Sequence, residues 1–227
     1  DDLEFLSGVP AGLFQFEIGI QSVQSSTLEA IHRVMDRRSY EIIERLVSKG
    51  NIHIHLDLIA GLPYEDYAGF AGSFNRVMGL GPHHFQPGIL KVLPGTEMME
   101  RSAGYGLAWS ADPPYAVEST KWINAREMKA ITRIAGLVEA IYNSGRFNET
   151  CRCMTAHYGS AFRFYEQLAE HDAPGQAGRD WSDYASLLIS LVNTDCRVRL
   201  PLLMDCLGWD WCRSGRLHHY PAVLKSA

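Results

Sequence analysis

Two segments of alternating polarity, Leu13 to Gln21 and Ile52 to Ile59, predict strands whose opposite faces meet different surroundings. In the first, Glu17, Gly19 and Gln21 stand two apart; in the second, His53, His55 and Asp57 do the same. Between them Ile18, Ile20, Ile54, Leu56 and Leu58 point the other way, toward covering helices. Such strands line an interior with their polar faces while helices bury the apolar ones.

The intervening residues read as helices. Ser25, Ser26 and Thr27 are N-cap candidates for a helix carrying Leu28, Ile31 and Met35 up to Arg33 and beyond. Ser39 caps a second, with Glu41 in its first turn, apolar Ile42, Ile43, Leu46 and Val47, and Gly50 at its end. After Gly61-Leu62-Pro63 comes a stripe of Tyr67, Phe70, Phe74, Val77 and Met78, then a third strand from about Phe85 to Leu93. Pro87 inside it argues against a central position. This alternation predicts parallel βα units, enough for half a barrel or a small open sheet.

Beyond Pro94-Gly95-Thr96 the pattern changes, and Asp112-Pro113-Pro114 marks a boundary, giving an α/β region 1–110 and an all-helical region 111–227. Asn124 and Glu127 form a capping box for a broadly apolar helix that Gly145 closes. Further helices are predicted over Ser160 to Glu170, Asp180 to Val192 and Pro201 to Cys212, with a linker at Asp172 to Gly178.

At 227 residues with 46% hydrophobic and 21% charged residues, the chain is that of an ordinary globular protein. A net charge of −5 argues against a nucleic-acid partner held by phosphate contacts. No apolar run reaches the roughly 18 to 20 residues that span a bilayer, and no signal peptide opens the chain, so a cytoplasmic protein with no membrane partner is expected. Five irregularly spaced cysteines are not a disulfide framework and are expected to be reduced. The opening on Asp1-Asp2, without Met, suggests a piece of a longer chain.

Several groups could carry chemistry. His53 and His55, on one strand face with Asp57 beyond, have the spacing of a metal pair, as in a metal-dependent hydrolase. The remaining ligands would have to come from His83-His84. The alternative is a partly solvated His53 and a hydrogen-bonded His55. Glu17, Gln21, Arg33 and Asp57 make a second set. A carboxylate and an amide at neighbouring strand ends hold a ribose diol, and an arginine pairs with a carboxylate in a forked geometry. Gly61 would let a flat base approach the backbone. A surface ion pair plus an internal polar residue explains the same spacing. Cys151-x-Cys153 and Cys206-x5-Cys212 read as helical-core cysteines rather than a metal site, and Trp209, Trp211 and Tyr220 as helix packing.

FEIGIQS, Arg33 twelve residues after Gln21, LDLIAGLPYED and FQPGILKVLPGT together resemble the second half of a radical S-adenosylmethionine barrel, over about residues 13 to 100. The resemblance is to the branch containing the oxygen-independent coproporphyrinogen dehydrogenases and the cobalamin-binding radical enzymes. It implies a half TIM-like barrel and a radical iron–sulfur oxidoreductase. Gln21 and Asp57 would contact the cofactor's ribose, Arg33 the methionine carboxylate, and Glu17 the same region. Ile59 and Gly61, with the backbone of Gly88 to Leu90, would lie near the adenine. AREMKAI and YNSGRF resemble a helical C-terminal domain of unassigned function that follows cobalamin-binding radical enzymes.

The implied cofactors are S-adenosylmethionine and a [4Fe-4S] cluster in the full-length protein, with cobalamin a further cofactor of that branch. The cluster-binding CxxxCxxC is missing here. The resemblance therefore implies a C-terminal fragment, inactive alone, whose partners are the missing N-terminal half and an unknown small-molecule substrate. A half-barrel also leaves an open sheet edge, through which two copies could pair. A non-catalytic scaffold or interaction module is the remaining alternative.

Overall fold

The computed structural model describes residues 2–172, 178–195, 199–214 and 220–225. It divides into two compact units, Asp1–Ala135 and Gly136–Ala227.

The first unit opens with α1 (Asp2–Gly8), β1 (Gln15–Gln21), α2 (Ser25–Ala30), α3 (Arg37–Lys49), β2 (His53–Ala60), α4 (Tyr67–Met78) and β3 (His84–Ile89). The three strands form a parallel sheet in the order β1-β2-β3. Ile20, Ile54, Leu56, Leu58 and Phe85 are fully buried on one face, where α3 and α4 pack on β2 and Phe74 meets Phe85 edge-on at 4.9 Å. Pro87 lies on β3, at the end of the strand order, where a missing N–H need not break a central ladder.

Helix boundaries differ from the sequence expectation in two places. α2 ends at Ala30, short of Arg33, and its N-cap Gln24 makes no side-chain cap. The cap of α3 is Asp36 rather than Ser39: its carboxylate accepts from the Ser39 N–H and from the Ser39 hydroxyl, each at 2.8 Å. Aspartate is the stronger acceptor for an exposed helix N-terminus, so the helix begins a turn earlier. Gly50 closes α3 with φ +71°, as its position predicts.

The short helices α5 (Glu97–Glu100) and α6 (Ser102–Tyr105) lead to β4 (Ala108–Trp109) and β5 (Val117–Ser119), an antiparallel pair. This corrects the all-helical reading of 111–227. Strands of two and three residues are too short to show alternation. They persist because the Val117 N–H donates to the Leu90 carbonyl (2.8 Å) and the Val92 N–H to the Tyr115 carbonyl (3.0 Å). Those bonds tie 115–117 back to the end of β3, so the unit boundary falls later than 110/111.

The Asn124 and Glu127 capping box opens α7 (Ala125–Leu137): the Glu127 N–H donates to Asn124 Oδ1 (3.0 Å) and the Asn124 N–H to Glu127 Oε2 (2.9 Å). A π-helical turn, Val138–Asn143, follows, then Gly145 with φ +65°. The second unit continues with α8 (Asn148–Tyr158), α9 (Ala161–His171), α10 (Trp181–Asp195), α11 (Leu200–Arg213) and a 3-10 turn, Ala222–Leu224. Its core includes Phe147, Met154, Phe164, Tyr165, Leu188 and Leu207. Trp211 is buried against Trp181, but Trp209 and Tyr220 are exposed, so helix packing accounts only for Trp211. The middle of the expected linker, 173–177, and Cys196 lie outside the described residues. Among the described residues no helix is long and apolar enough to cross a membrane.

Candidate functional site

The parallel register sets the polar residues in rows across the other sheet face. Glu17 stands beside His55, and His55 beside His84; Gly19 stands beside Asp57, and Asp57 beside Gln86; Ile59 stands beside Gly88. His84 meets the His55 ring edge-on, with centroids 4.1 Å apart. His53 is exposed and tilts against His83 at 5.3 Å. The Ile54 N–H donates to His83 Nδ1 at 3.1 Å, so that nitrogen is an unprotonated acceptor; burial lowers the pKa of this imidazole, and neighbouring His53 adds to the effect.

Gln21 reaches this face by an irregular route. The ladder bulges between Gly19 and Gln21, and Gln21 takes φ +68°, a left-handed conformation unusual for a side-chain-bearing residue. The amide thereby folds over Gly19. A Cβ at Gly19 would sit 2.0 Å from Gln21 Nε2 and 3.8 Å from an Arg33 guanidinium nitrogen. Glycine at 19 is thus the condition for seating Gln21, and it brings Gln21 and Arg33 together over the sheet. Bulges of this kind re-aim side chains at functional positions.

Asp57 lies in the middle of the face. Its pKa rises from 3.8 to about 6, mainly through burial, then through the charge of Glu17 and a hydrogen bond with it, while His84 opposes the shift. His55 Nε2 approaches Asp57 Oδ1 to 2.9 Å, but not in line for a hydrogen bond. Gln21 Oε1 is buried with no hydrogen-bond partner, and His55 Nε2 and Asp57 Oδ1, buried and facing each other, make no well-aligned hydrogen bond. Buried polar atoms are normally satisfied, so an unpartnered amide oxygen beside a poorly aligned polar pair leaves this face with hydrogen-bonding capacity for a ligand.

The other predicted residues are placed as follows. Ile59 is half-buried on the same face as Asp57. Gly61, with φ +90°, turns the chain after β2; a Cβ there would meet Met128 Cε at 3.1 Å and Val117 Cγ1 at 3.3 Å, so that side of the glycine is already packed by the protein. Among the described residues no three His, Cys, Asp or Glu side chains converge to hold a metal ion. A cavity of about 590 Å³, lined by Leu28, Met35, Tyr40 and Arg76, contains none of the predicted site residues.

Residues 103–227, more than half of the chain, match the model of a family described as a protein of unknown function, DUF4080. The chain belongs to the DUF4080 family. No curated protein matches it. The matched segment begins within α6 and takes in the β4-β5 pair and the helices that follow, whereas the polar sheet face lies before it.

This DUF4080 protein also holds a buried carboxyl that the sequence reading passed over. Glu65, fully buried, accepts from the hydroxyls of Ser22 and Ser73, both at 2.7 Å. Ser73 Oγ in turn accepts from the Val23 N–H, and Ser22 Oγ from the Gln24 N–H. The network joins the loop after β1, which starts at Ser22 next to Gln21 in the chain, to the loop after β2 and to α4. Burial raises the Glu65 pKa, and the two serine hydrogen bonds work against that shift. The available signal was a glutamate just before Asp66, whose carboxylate caps α4 by accepting from the Gly69 N–H, with serines at 22 and 73, but nothing in the spacing shows that these meet. Glu65→Ala should destabilise the protein by about 2–4 kcal/mol, because it leaves two hydroxyls unpaired around a cavity. Glu65→Gln keeps the acceptor oxygen and should cost less than about 1 kcal/mol. Equal midpoints for the two variants in urea unfolding would contradict this account.

Proposed function

We propose that this chain supplies the S-adenosylmethionine-positioning face of a radical S-adenosylmethionine iron–sulfur enzyme related to the cobalamin-binding branch, with its three parallel strands forming part of a half-barrel. The observation that carries the reading is the buried, unpartnered Gln21 Oε1 beside the imperfectly aligned His55–Asp57 pair and an exposed Arg33.

The donor set suits the ligand. Two carbonyl-type acceptors on neighbouring strands take the protons of a vicinal diol, and Asp57 is ionised for that task above about pH 6. The Arg33 guanidinium, next to the Gln21 amide, pairs with the ligand's carboxylate in a forked geometry. Ile59, half-buried in the same row, offers an apolar surface for a flat base. Gly61 supports the reading less, because its open side is packed by Met128 and Val117.

When bound together with a [4Fe-4S] cluster, the cofactor supplies reductive cleavage of its sulfonium centre. The cluster's CxxxCxxC does not occur among the five cysteines, so its ligands would come from protein outside this sequence. Exposed Leu13 and Phe14, next to β1 at the end of the strand order, support a further strand pairing there.

Arg33 provides a test that separates the two halves of the ligand. In equilibrium dialysis, Arg33→Ala should weaken S-adenosylmethionine about tenfold. It should leave 5′-methylthioadenosine, which has no amino-acid tail, unchanged. Equal losses for both ligands, or no loss for either, would remove Arg33 from the role proposed for it.

A further inference from the structure

The second unit places two cysteines opposite one another. α8 and α11 are tied at one point by Asp210, whose two carboxylate oxygens accept from the Glu149 and Thr150 N–H groups, each at 2.9 Å. Cys153 lies one turn beyond Glu149 on α8, and Cys206 lies one turn before Asp210 on α11. With Glu149 and Thr150 held at Asp210 and Cys153 close enough to Cys206 to raise its pKa, the helices run antiparallel at this contact and the two thiols face each other. Both are partly exposed. Cys151, two residues from Cys153, points instead into the core, where its sulfur lies 3.6 Å from the Tyr165 hydroxyl and burial raises its pKa to about 12. Residues two apart on a helix do not share a face, so the Cys151-x-Cys153 spacing does not describe the functional pair.

We propose that Cys153 and Cys206 form a reversible dithiol–disulfide pair that locks α8 to α11 when oxidised by a low-molecular-weight disulfide. The Cys153 thiolate attacks one sulfur of the oxidant, forming a mixed disulfide and releasing one small thiol. Cys206 then loses its proton and attacks the Cys153 sulfur, releasing the second small thiol. The protein dithiol loses two electrons and two protons, and one small disulfide becomes two thiols. Before the first step Cys206 is held as the neutral thiol, chiefly by burial and then by Cys153 opposite it. Converting Cys153 to the mixed disulfide removes the second of these restraints. His157, whose Nδ1 is 3.8 Å from the Cys153 sulfur, stands on the solvent side of the pair.

The test is anaerobic titration of the reduced protein with oxidised glutathione, quenching with N-ethylmaleimide, and peptide mass mapping. The expected product is one intramolecular cross-link joining the Cys153 and Cys206 peptides, reversed by dithiothreitol. Its thermal midpoint should rise by about 5 °C, because the bond closes a long loop. Cys206→Ser should trap glutathione on Cys153, and Cys212→Ser should leave the cross-link intact. Recovery of Cys153 and Cys206 as separately alkylated residues would overturn the proposal. So would a cross-link through Cys212, or a Cys206→Ser variant that is folded by circular dichroism yet carries no glutathione.

Discussion

Asp57→Asn is expected to stabilise the protein at pH 7.5 while weakening S-adenosylmethionine binding by about tenfold. The two effects have one origin. The pKa of Asp57 is raised in the folded state from 3.8 to about 6 because the carboxylate is buried beside Glu17. The folded protein therefore holds this proton more tightly than the unfolded chain does. Stability from this group is fully present below about pH 4, falls as pH rises to about 6, and stays low above that. Asparagine carries no charge to bury and can donate to Glu17, which predicts a gain of about 1–2 kcal/mol at pH 7.5. The gain should vanish below about pH 4, where Asp57 is protonated in both states. Urea unfolding at the two pH values measures the first effect and equilibrium dialysis the second. A site that sacrifices stability for function shows both. If the substitution stabilises without loss of affinity, Asp57 is only a strained internal residue.

The second large effect is expected at Asp210, in the other unit. Its buried carboxylate is the N-terminal cap of α8, accepting from two backbone N–H groups that have no other partner within the helix. Asp210→Ala removes both acceptors and the negative charge that complements the helix dipole. The expected loss is about 3–4 kcal/mol, above the usual value for a cap because the exposed donors are buried. Asp210→Asn retains one acceptor oxygen and should lose about half as much. Chemical unfolding monitored by the fluorescence of Trp181 and Trp211, which lie in contact, reads the change. An alanine variant as stable as the unsubstituted protein would show that α8 is held by packing alone.

Asp210 also explains what was illegible in the sequence. The βα part could be read because each strand carries its own alternation and each helix its own stripe: Ile54, Leu56 and Leu58 are fully buried, as are Phe70 and Phe74. α8 escaped because Asn148-Glu149-Thr150-Cys151 has no local cap and a weak apolar pattern, and its cap is supplied from 60 residues away. β4 and β5 were too short to alternate, and long-range backbone bonds from Val117 to Leu90 and from Val92 to Tyr115 hold their neighbourhood in place.

The site was legible by residue type but not by geometry. Period two put Glu17, Gly19, His55 and Asp57 on one face, and the register does so. Gln21 arrives there through a bulge and a left-handed backbone that no spacing rule predicts. Glu65 could not be found because its partners, Ser22 and Ser73, stand 43 and 8 residues away. The cysteines were read by sequence spacing, whereas the pairing that matters joins two helices.

The most direct measurement is a crystal structure of this protein soaked with S-adenosylhomocysteine, which has the same ribose and carboxylate without the reactive methyl. The account predicts the ribose hydroxyls within hydrogen-bond distance of Asp57 Oδ1 and Gln21 Oε1, and the carboxylate on Arg33. A ligand bound elsewhere, or no density on the polar sheet face at saturating concentration, would contradict it.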